Sequence, residues 1–287
     1  LKVVVDGGNG MAGPMVGPLL RHLKLDLVET YFTPDGTFPG HEPNPLREEN
    51  RQFIILRSSR GGTTGYYNQN DAGNSQGLNT LSQRYDDPYY IQNINRVTAA
   101  GMFAGSYHFS RPDIIASTLN ANGIPNSGAD EADHFIQMAG PWMRPGYLVP
   151  VHDFEAGDGA RTDNELTQFC VDFANRIYER MGIRPAIYTG GNYSANILQT
   201  ASSSLRNQLA QPSANLPSVI APCYPVLWNA RWPNQADPNS IDVQNGNPKD
   251  SYSGLYGPWD DYGGPTHPWV FWQYASKLRL QSFNNGS

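Results

Sequence analysis

Short apolar runs alternate with amphipathic helical patterns from about residue 53 to the end of the chain. This order is typical of parallel α/β proteins, because the connection between two parallel strands usually contains a helix. The pattern is clearest at 162–181, where apolar side chains recur every three or four residues. We therefore expect the fold class α/β, with a regular or irregular (β/α) barrel of the TIM-barrel type. Its strands are expected at 53–57, 105–109, 147–155, 184–189, 226–230 and 269–274.

The composition is that of a globular protein with enough material for a large core. Of the 287 residues, 39% are hydrophobic and 16% are charged, which argues against a disordered chain or a coiled coil. The net charge of −6 and the lack of basic clusters argue against nucleic-acid binding. No apolar stretch approaches the roughly 18 residues of a membrane span, and the first residues do not show the pattern of a signal peptide.

A pair of acidic residues follows the apolar run 147–151. Alternate side chains of a strand share a face, so Asp153 and Glu155 are expected to point the same way, with Cα atoms about 6.5–7 Å apart. Acid-assisted cleavage of a glycosidic bond uses two such groups, one protonated and one charged. We expect Glu155 to be the proton donor, and Asp153 to stay ionised as the nearby like charge. A strand end with two solvated acids is the alternative interpretation.

Other polar and aromatic side chains lie near the predicted strand ends. The functional groups of a β/α barrel gather at the carboxyl ends of its strands, so these side chains would surround the acidic pair and could bind a sugar. Packing in the core, with satisfied hydroxyl and N–H groups, is the alternative for the aromatic residues. His108 and His152 alternate away from this face and are expected to be structural. The candidate substrate-binding residues are Arg57, Tyr107, Phe109, Tyr188, Trp228, Trp272 and Gln273.

The two cysteines are too few for a disulfide framework or a cysteine-based zinc site. Cys170 lies within the apolar helical pattern, so we expect it to be a buried free thiol. A bridge to Cys223 is the alternative for an exported protein. No group of His, Cys and acidic residues has convincing metal-ligand spacing, and no metal site is predicted.

Six segments in the larger part of the chain follow the order of one enzyme family. They are 53–59, 105–109, 150–155, 185–188, 227–232 and 269–274. In this order they resemble glycoside hydrolase family 25, the Chalaropsis-type lysozymes. The resemblance implies an N-acetylmuramidase that cleaves the β-1,4 bond after N-acetylmuramic acid in bacterial peptidoglycan, with Asp153 and Glu155 as the D-x-E pair. It also implies no metal or organic cofactor, a monomer that binds peptidoglycan glycan strands, and a secreted or cell-wall-directed protein.

The first fifty residues follow a different pattern. Segments 1–13 and 32–50 resemble the second domain of phosphomannomutase/phosphoglucomutase enzymes, without the phosphoserine and metal loops of those enzymes. We therefore divide the chain into a phosphohexomutase-like segment at 1–52 and a muramidase-like barrel at 53–287. A chain of this kind is a natural fusion, an engineered chimera or a fragment.

The N-terminal segment is expected to supply the first strand of the barrel and to place Asp6 as a further catalytic carboxylate. Because this segment does not resemble the usual start of family 25, a catalytically impaired or non-catalytic glycan-binding barrel is the alternative. A relative of the phosphohexomutases is a more remote alternative.

Overall fold

The structure is a computed structural model, and it describes residues 2–6, 26–30, 53–65, 82–115, 126–210, 227–232, 256–261, 269–273 and 276. Within these ranges the strands form two sheets, one of two strands and one of seven. The strands are β1 Lys2–Asp6, β2 Asp26–Thr30, β3 Phe53–Arg60, β4 Tyr85–Asp86, β5 Phe103–Phe109, β6 Val151–Asp153, β7 Ala186–Gly190, β8 Leu227–Ala230 and β9 Trp269–Gln273. The α-helices are α1 Tyr90–Ala99, α2 Gly128–Ala139, α3 Asp163–Met181, α4 Gly191–Asn196 and α5 Ser203–Ala210, with short 3₁₀ turns at Gly140–Trp142, Leu198–Thr200 and Gly257–Asp261.

The larger sheet has the strand order β4-β3-β5-β6-β7-β8-β9. Strand β4 pairs antiparallel with β3, and all other neighbours in this sheet are parallel. The carboxyl ends of six strands therefore meet along one edge, where the sequence predicts the functional groups. The predicted α/β class is confirmed, with a curled mixed sheet that resembles half of a barrel. Complete closure into a TIM barrel is not seen within the described residues.

The N-terminal strands pair with each other. Strand β1 runs parallel to β2, from Lys2 opposite Asp26 to Asp6 opposite Thr30. Each of the two strands finds backbone hydrogen-bond partners in the other. Within the described residues β1 has no pairing with the seven-stranded sheet, and the integration of this segment into the barrel stays a prediction.

Helix α3 begins and ends where the sequence indicates. Its first turn has a capping box, in which Thr162 Oγ1 accepts from the Glu165 N–H while the Glu165 carboxylate accepts from the Thr162 N–H. Its end is followed by Gly182 with φ +69°, the left-handed conformation that glycine adopts without strain. The buried face of α3 packs against the sheet and against α2. That face is formed by Leu166, Phe169, Cys170, Phe173, Ala174 and Ile177.

Two predicted helices differ from the structure. The sequence pattern predicts a helix over 85–100, but the helix begins only at Tyr90, because Tyr85 and Asp86 pair with Arg60 and Ser59 of β3 instead. The pattern also predicts a helix across 195–209, where the structure has the end of α4, a 3₁₀ turn and α5. None of the described helices is long and apolar enough to cross a membrane. Cys170 is a buried free thiol, as predicted, and Cys223 lies outside the described residues.

Candidate active site

Asp153 lies at the carboxyl end of β6, in the middle of the parallel strands. It pairs in register with Phe109 of β5 and Tyr188 of β7, and residues in register on parallel strands point to the same face. The strand ends here, although the N–H of the buried Phe154 still donates to the Tyr188 carbonyl at 2.9 Å. Glu155 follows and is exposed, whereas Asp153 is only 8% exposed. The two carboxyl groups therefore have unequal access to solvent.

Burial perturbs both carboxyl groups in the same direction. Burial raises the pKa of Asp153 well above its usual range, and the negative charge of Glu155 adds to this effect, while the Arg57 guanidinium opposes it. Burial also raises the pKa of Glu155. Within the described residues Asp153 Oδ1 has no hydrogen-bond partner, so of the groups around it only the Arg57 charge is seen to offset the loss of water. Asp153 is the more deeply buried of the two, and the expected division of roles, with a protonated Glu155 beside an ionised Asp153, stays a prediction.

Strands β3 and β5 contribute a cation and a phenol to the same face. Arg57 lies in register with Tyr107, and its Nε is 3.4 Å from Asp87 Oδ2. The guanidinium also lies over the Tyr85 ring, 5.1 Å from its centroid. Burial raises the pKa of the Tyr107 hydroxyl, and the Asp153 charge raises it further. Sequence analysis missed Tyr85 and Asp87, because the short strand β4 that positions them was predicted as helix.

An aromatic cluster on β7, β8 and β9 borders the acidic pair. The Tyr188 hydroxyl donates to Gln273 Oε1 at 2.9 Å, and its ring meets Trp228 edge-on with centroids 5.0 Å apart. The exposed Trp232 also donates its Nε1–H to Gln273 Oε1 at 2.9 Å. Both donors converge on one oxygen, which fixes the orientation of the Gln273 amide. Burial, together with the charges of the acidic pair, raises the pKa of Tyr188.

The other predicted site residues are distributed as follows. Phe109 is in register with Asp153 and shares its face. Trp272 is in register with Asn229 and alternates away from Trp228, and its Nε1–H donates to the Arg231 carbonyl at 2.9 Å. The side chain of Asp6 lies outside the described residues. The structure thus brings together Arg57, Tyr107, Phe109, Asp153, Tyr188, Trp228 and Gln273, with Glu155 beside them.

His108 and His152 lie on the opposite face of the sheet and are fully buried, in agreement with their predicted structural role. The His152 ring stacks on Phe173 of α3 with centroids 3.7 Å apart. Across the described ranges, no group of three or more His, Cys, Asp or Glu side chains is arranged to hold a metal ion.

Residues 78–211 match a model of the glycosyl hydrolases. This is the class of enzyme that an acidic pair beside aromatic rings indicates. The matched model is that of glycosyl hydrolases family 25, and the match covers the central part of the chain. The predicted resemblance to this family is confirmed.

Several solved structures resemble the chain. They include a muramidase from Trichobolus zukalii, with 20% identity, a TM-score of 0.47 and coverage of 80% of this chain and 78% of that one. A lysozyme from Streptomyces coelicolor has 20% identity, a TM-score of 0.44 and coverage of 80% and 75%. A family 25 glycosyl hydrolase from Bacillus anthracis has 16% identity, a TM-score of 0.48 and coverage of 86% and 78%.

The N-terminal resemblance is confirmed as well. Residues 1–73 match the model of the phosphoglucomutase/phosphomannomutase alpha/beta/alpha domain II. Among curated relatives, phosphohexose mutases of Xanthomonas campestris are 51% identical over 51 residues, 18% of this chain. A phosphomannomutase/phosphoglucomutase of Pseudomonas syringae is 40% identical over 62 residues, 22% of this chain. The chain spans 11% and 13% of the length of these two relatives.

Proposed function

We propose that the protein is a glycoside hydrolase that cleaves the β-1,4 bond after N-acetylmuramic acid in bacterial peptidoglycan. The observation that carries this proposal is the pair of carboxyl groups at the end of β6, both with a raised pKa and beside tyrosine and tryptophan rings. The family match over residues 78–211 supports the same reaction class. A secreted or cell-wall-directed protein follows from that substrate.

Glu155 is assigned the role of proton donor, because it is the exposed member of the pair and can contact a glycosidic oxygen. Asp153 is the more deeply buried member of the pair. When a sugar covers the site and Glu155 holds the proton, a charged Asp153 can stabilise an oxocarbenium-like transition state or orient the 2-acetamido group of the substrate. Because the Glu155 charge raises the pKa of Asp153, we assign the active form one proton in the pair.

The aromatic cluster is assigned to sugar binding. Pyranose rings have apolar faces that pack against aromatic rings, and their hydroxyl groups need hydrogen-bond partners. Tyr107, Tyr188 and Trp228 offer ring faces next to the acidic pair. Because Gln273 Oε1 accepts two donors, its amide nitrogen is the group that can donate to a sugar oxygen. Arg57, anchored on Asp87, supplies a positive charge on the same face.

The test is turbidity clearing of a peptidoglycan suspension by the protein and by Glu155→Gln. Loss of the transferable proton should lower the clearing rate by about 10²–10⁴-fold, while folding is preserved because Gln occupies the same space. Glu179→Gln is the matched control, since Glu179 lies on the outer surface of α3 with 67% of its side chain exposed. Clearing by Glu155→Gln at the parental rate would show that Glu155 is not the acid.

A second candidate function is glycan binding without catalysis. The pairing of β1 with β2 favours it, because among the described strands β1 does not join the seven-stranded sheet that would position a first-strand carboxylate. Pull-down on insoluble peptidoglycan separates the two functions. Retention of the protein on the glycan with no clearing by the parental chain would support the binding module and contradict the glycosidase.

A further inference from the structure

A chain of buried polar groups crosses strands β3 and β5 behind the candidate active site and ends on helix α2. It lies on the face of the sheet covered by the helices, and the side chains of Ser58, Ser59, His108 and Glu131 are all fully buried. The contacts, in order, are Ser58 Oγ to the Tyr107 carbonyl at 3.2 Å, Ser58 Oγ to Ser59 Oγ at 3.1 Å, Ser59 Oγ to His108 Nδ1 at 2.8 Å, and His108 Nε2 to Glu131 Oε2 at 3.1 Å.

The donors and acceptors in this chain can be assigned from its fixed end. A carbonyl only accepts, so the single hydroxyl hydrogen of Ser58 points to Tyr107, and Ser58 Oγ must accept from Ser59. Ser59 has then used its own hydrogen and must accept from His108 Nδ1–H. A neutral imidazole with hydrogen on Nδ1 has a bare Nε2, which needs a donor from Glu131. One proton therefore lies between Glu131 and His108.

We infer that Glu131 is a neutral carboxylic acid at neutral pH, and that its proton completes the hydrogen-bonded chain which fixes the ends of β3 and β5. Glu131 is thus a positioning residue: it acts through His108 and the two serines and does not contact the cleft. No other assignment of neutral groups satisfies all four contacts at once.

The surroundings of Glu131 favour the neutral acid over a carboxylate–imidazolium pair. Burial raises the pKa of Glu131 to about 8, partly offset by hydrogen bonds from the Ser110 hydroxyl and the Arg111 backbone N–H. Burial lowers the pKa of His108 well below its usual range, so the shared proton stays on the carboxyl group. The charged and titratable groups that face this pair are Asp130 and His134 on α2, Arg111 and Asp113 after β5, and His152 on β6. Of these, the Arg111 guanidinium is already paired with Asp113.

The same groups touch the strand end that bears the acidic pair. Ser110, which bonds Glu131, donates its backbone N–H to the Asp153 carbonyl at 3.0 Å and contacts His152 Nε2 through its hydroxyl at 2.7 Å. When Glu131 releases its proton to solvent, His108 must move its hydrogen from Nδ1 to Nε2. Ser59 must then donate to Nδ1, and its contact with Ser58 loses its hydrogen. Deprotonation of Glu131 thus removes the Ser59–Ser58 hydrogen bond, which links His108 to the group that donates to the Tyr107 carbonyl.

The test compares chemical unfolding of the protein and of Glu131→Gln between pH 4.5 and pH 9. Gln can donate to His108 and accept from Arg111, so it reproduces the neutral acid without titrating. The folded-state pKa of Glu131 lies above its unfolded value, so its stabilising effect is complete below about pH 4.5 and is lost as the pH rises to about 8. The unfolding constant of the parental protein relative to Glu131→Gln should therefore increase by up to about tenfold per pH unit in this window and level off above it.

Glu179→Gln is the control and should not reproduce this trend. An ionised Glu131 paired with protonated His108 would give the opposite result, with Glu131→Gln less stable than the parental protein at neutral pH, and would overturn the inference. A second measurement needs no Glu131 variant. In Glu155→Gln labelled with ¹³C at glutamate carboxyl carbons, one signal should titrate near pH 8, and the absence of any glutamate signal titrating above pH 6 would also overturn the inference.

A link to catalysis rests on the proposed function. The clearing rate of the parental protein should decline above pH 8, and Glu131→Gln should reduce that decline. If no variant clears peptidoglycan at any pH, the proposed function fails, while the unfolding and ¹³C measurements still decide the protonation of Glu131.

Discussion

Replacing Asp153 by Asn should stabilise the protein while reducing its activity. Asn has nearly the same shape as Asp but no charge, so the substitution removes the cost of holding a carboxylate in a site that is only 8% exposed. Because burial raises the folded-state pKa of Asp153, the folded protein binds more protons than the unfolded chain between about pH 4 and that raised value. Stability is therefore lost as the pH rises through this window, and the Asn variant avoids the loss.

The magnitude follows from linkage. Each pH unit within the window changes the free energy of unfolding by at most about 1.4 kcal/mol for one group. Arg57 reduces the effect, because its positive charge favours the carboxylate. We expect Asp153→Asn and the parental protein to be similar in stability near pH 4, with the variant ahead by an amount that grows toward pH 7.

Urea unfolding at pH 4, 5, 6 and 7 measures this difference directly. Asp172→Asn on α3 is the control for the loss of an acidic side chain at a site where Gln168 donates to the carboxylate from the same helix. A difference between Asp153→Asn and the parental protein that is constant with pH, or that favours the parental protein, would refute the argument that Asp153 is a desolvated acid. The clearing assay on the same samples should show reduced activity, since Asn cannot carry the negative charge.

Two further substitutions test the packing of α2 against α3 and the role of Tyr188 in the site. Gly128→Ala should destabilise the protein by about 3 kcal/mol, because a Cβ at Gly128 would lie 1.9 Å from the Phe169 carbonyl oxygen and would push α2 away from α3. Gly190→Ala is the control, since nothing lies within 4 Å of the carbon that it adds. Equal melting temperatures for the two variants would contradict the prediction. Tyr188→Phe should cost about 1 kcal/mol of stability through the lost hydrogen bond to Gln273 and should slow clearing, and an unchanged clearing rate would remove Tyr188 from the site.

Local patterns in the sequence predict most of the elements around the site. Apolar runs mark the parallel strands, and the regular spacing in α3 together with the Thr162 cap gives that helix its correct bounds. The start of α1 could not be read in this way, since Tyr89 provides no side-chain cap and no acidic residue follows in the first turn. Strand β4 consists of two residues whose position is set by pairing with β3, and such pairing leaves no local signal.

The candidate site was predicted in its composition better than in its electrostatics. Strand alternation correctly placed Asp153 with Tyr188 and separated it from His152. The degree of burial that raises the pKa of Asp153 depends on neighbouring strands, and spacing along the chain carries no information about it. The same holds for the contact of Ser59 with His108, which joins residues 49 positions apart.

The segments that match the two family models are joined within the seven-stranded sheet. The mutase model extends to residue 73 and so includes β3, yet β3 pairs in register with β5, which lies in the family 25 match. Strand β3 carries Arg57 on the face of Asp153, and Ser59 in the buried chain that ends at Glu131. Residues 53–59 also carry the resemblance to family 25, so this resemblance and the mutase match overlap on β3. Parallel pairing is made by backbone groups, so β3 can pair with β5 irrespective of family. The candidate site therefore depends on how this shared strand pairs with β5, because that pairing places both Arg57 and Ser59.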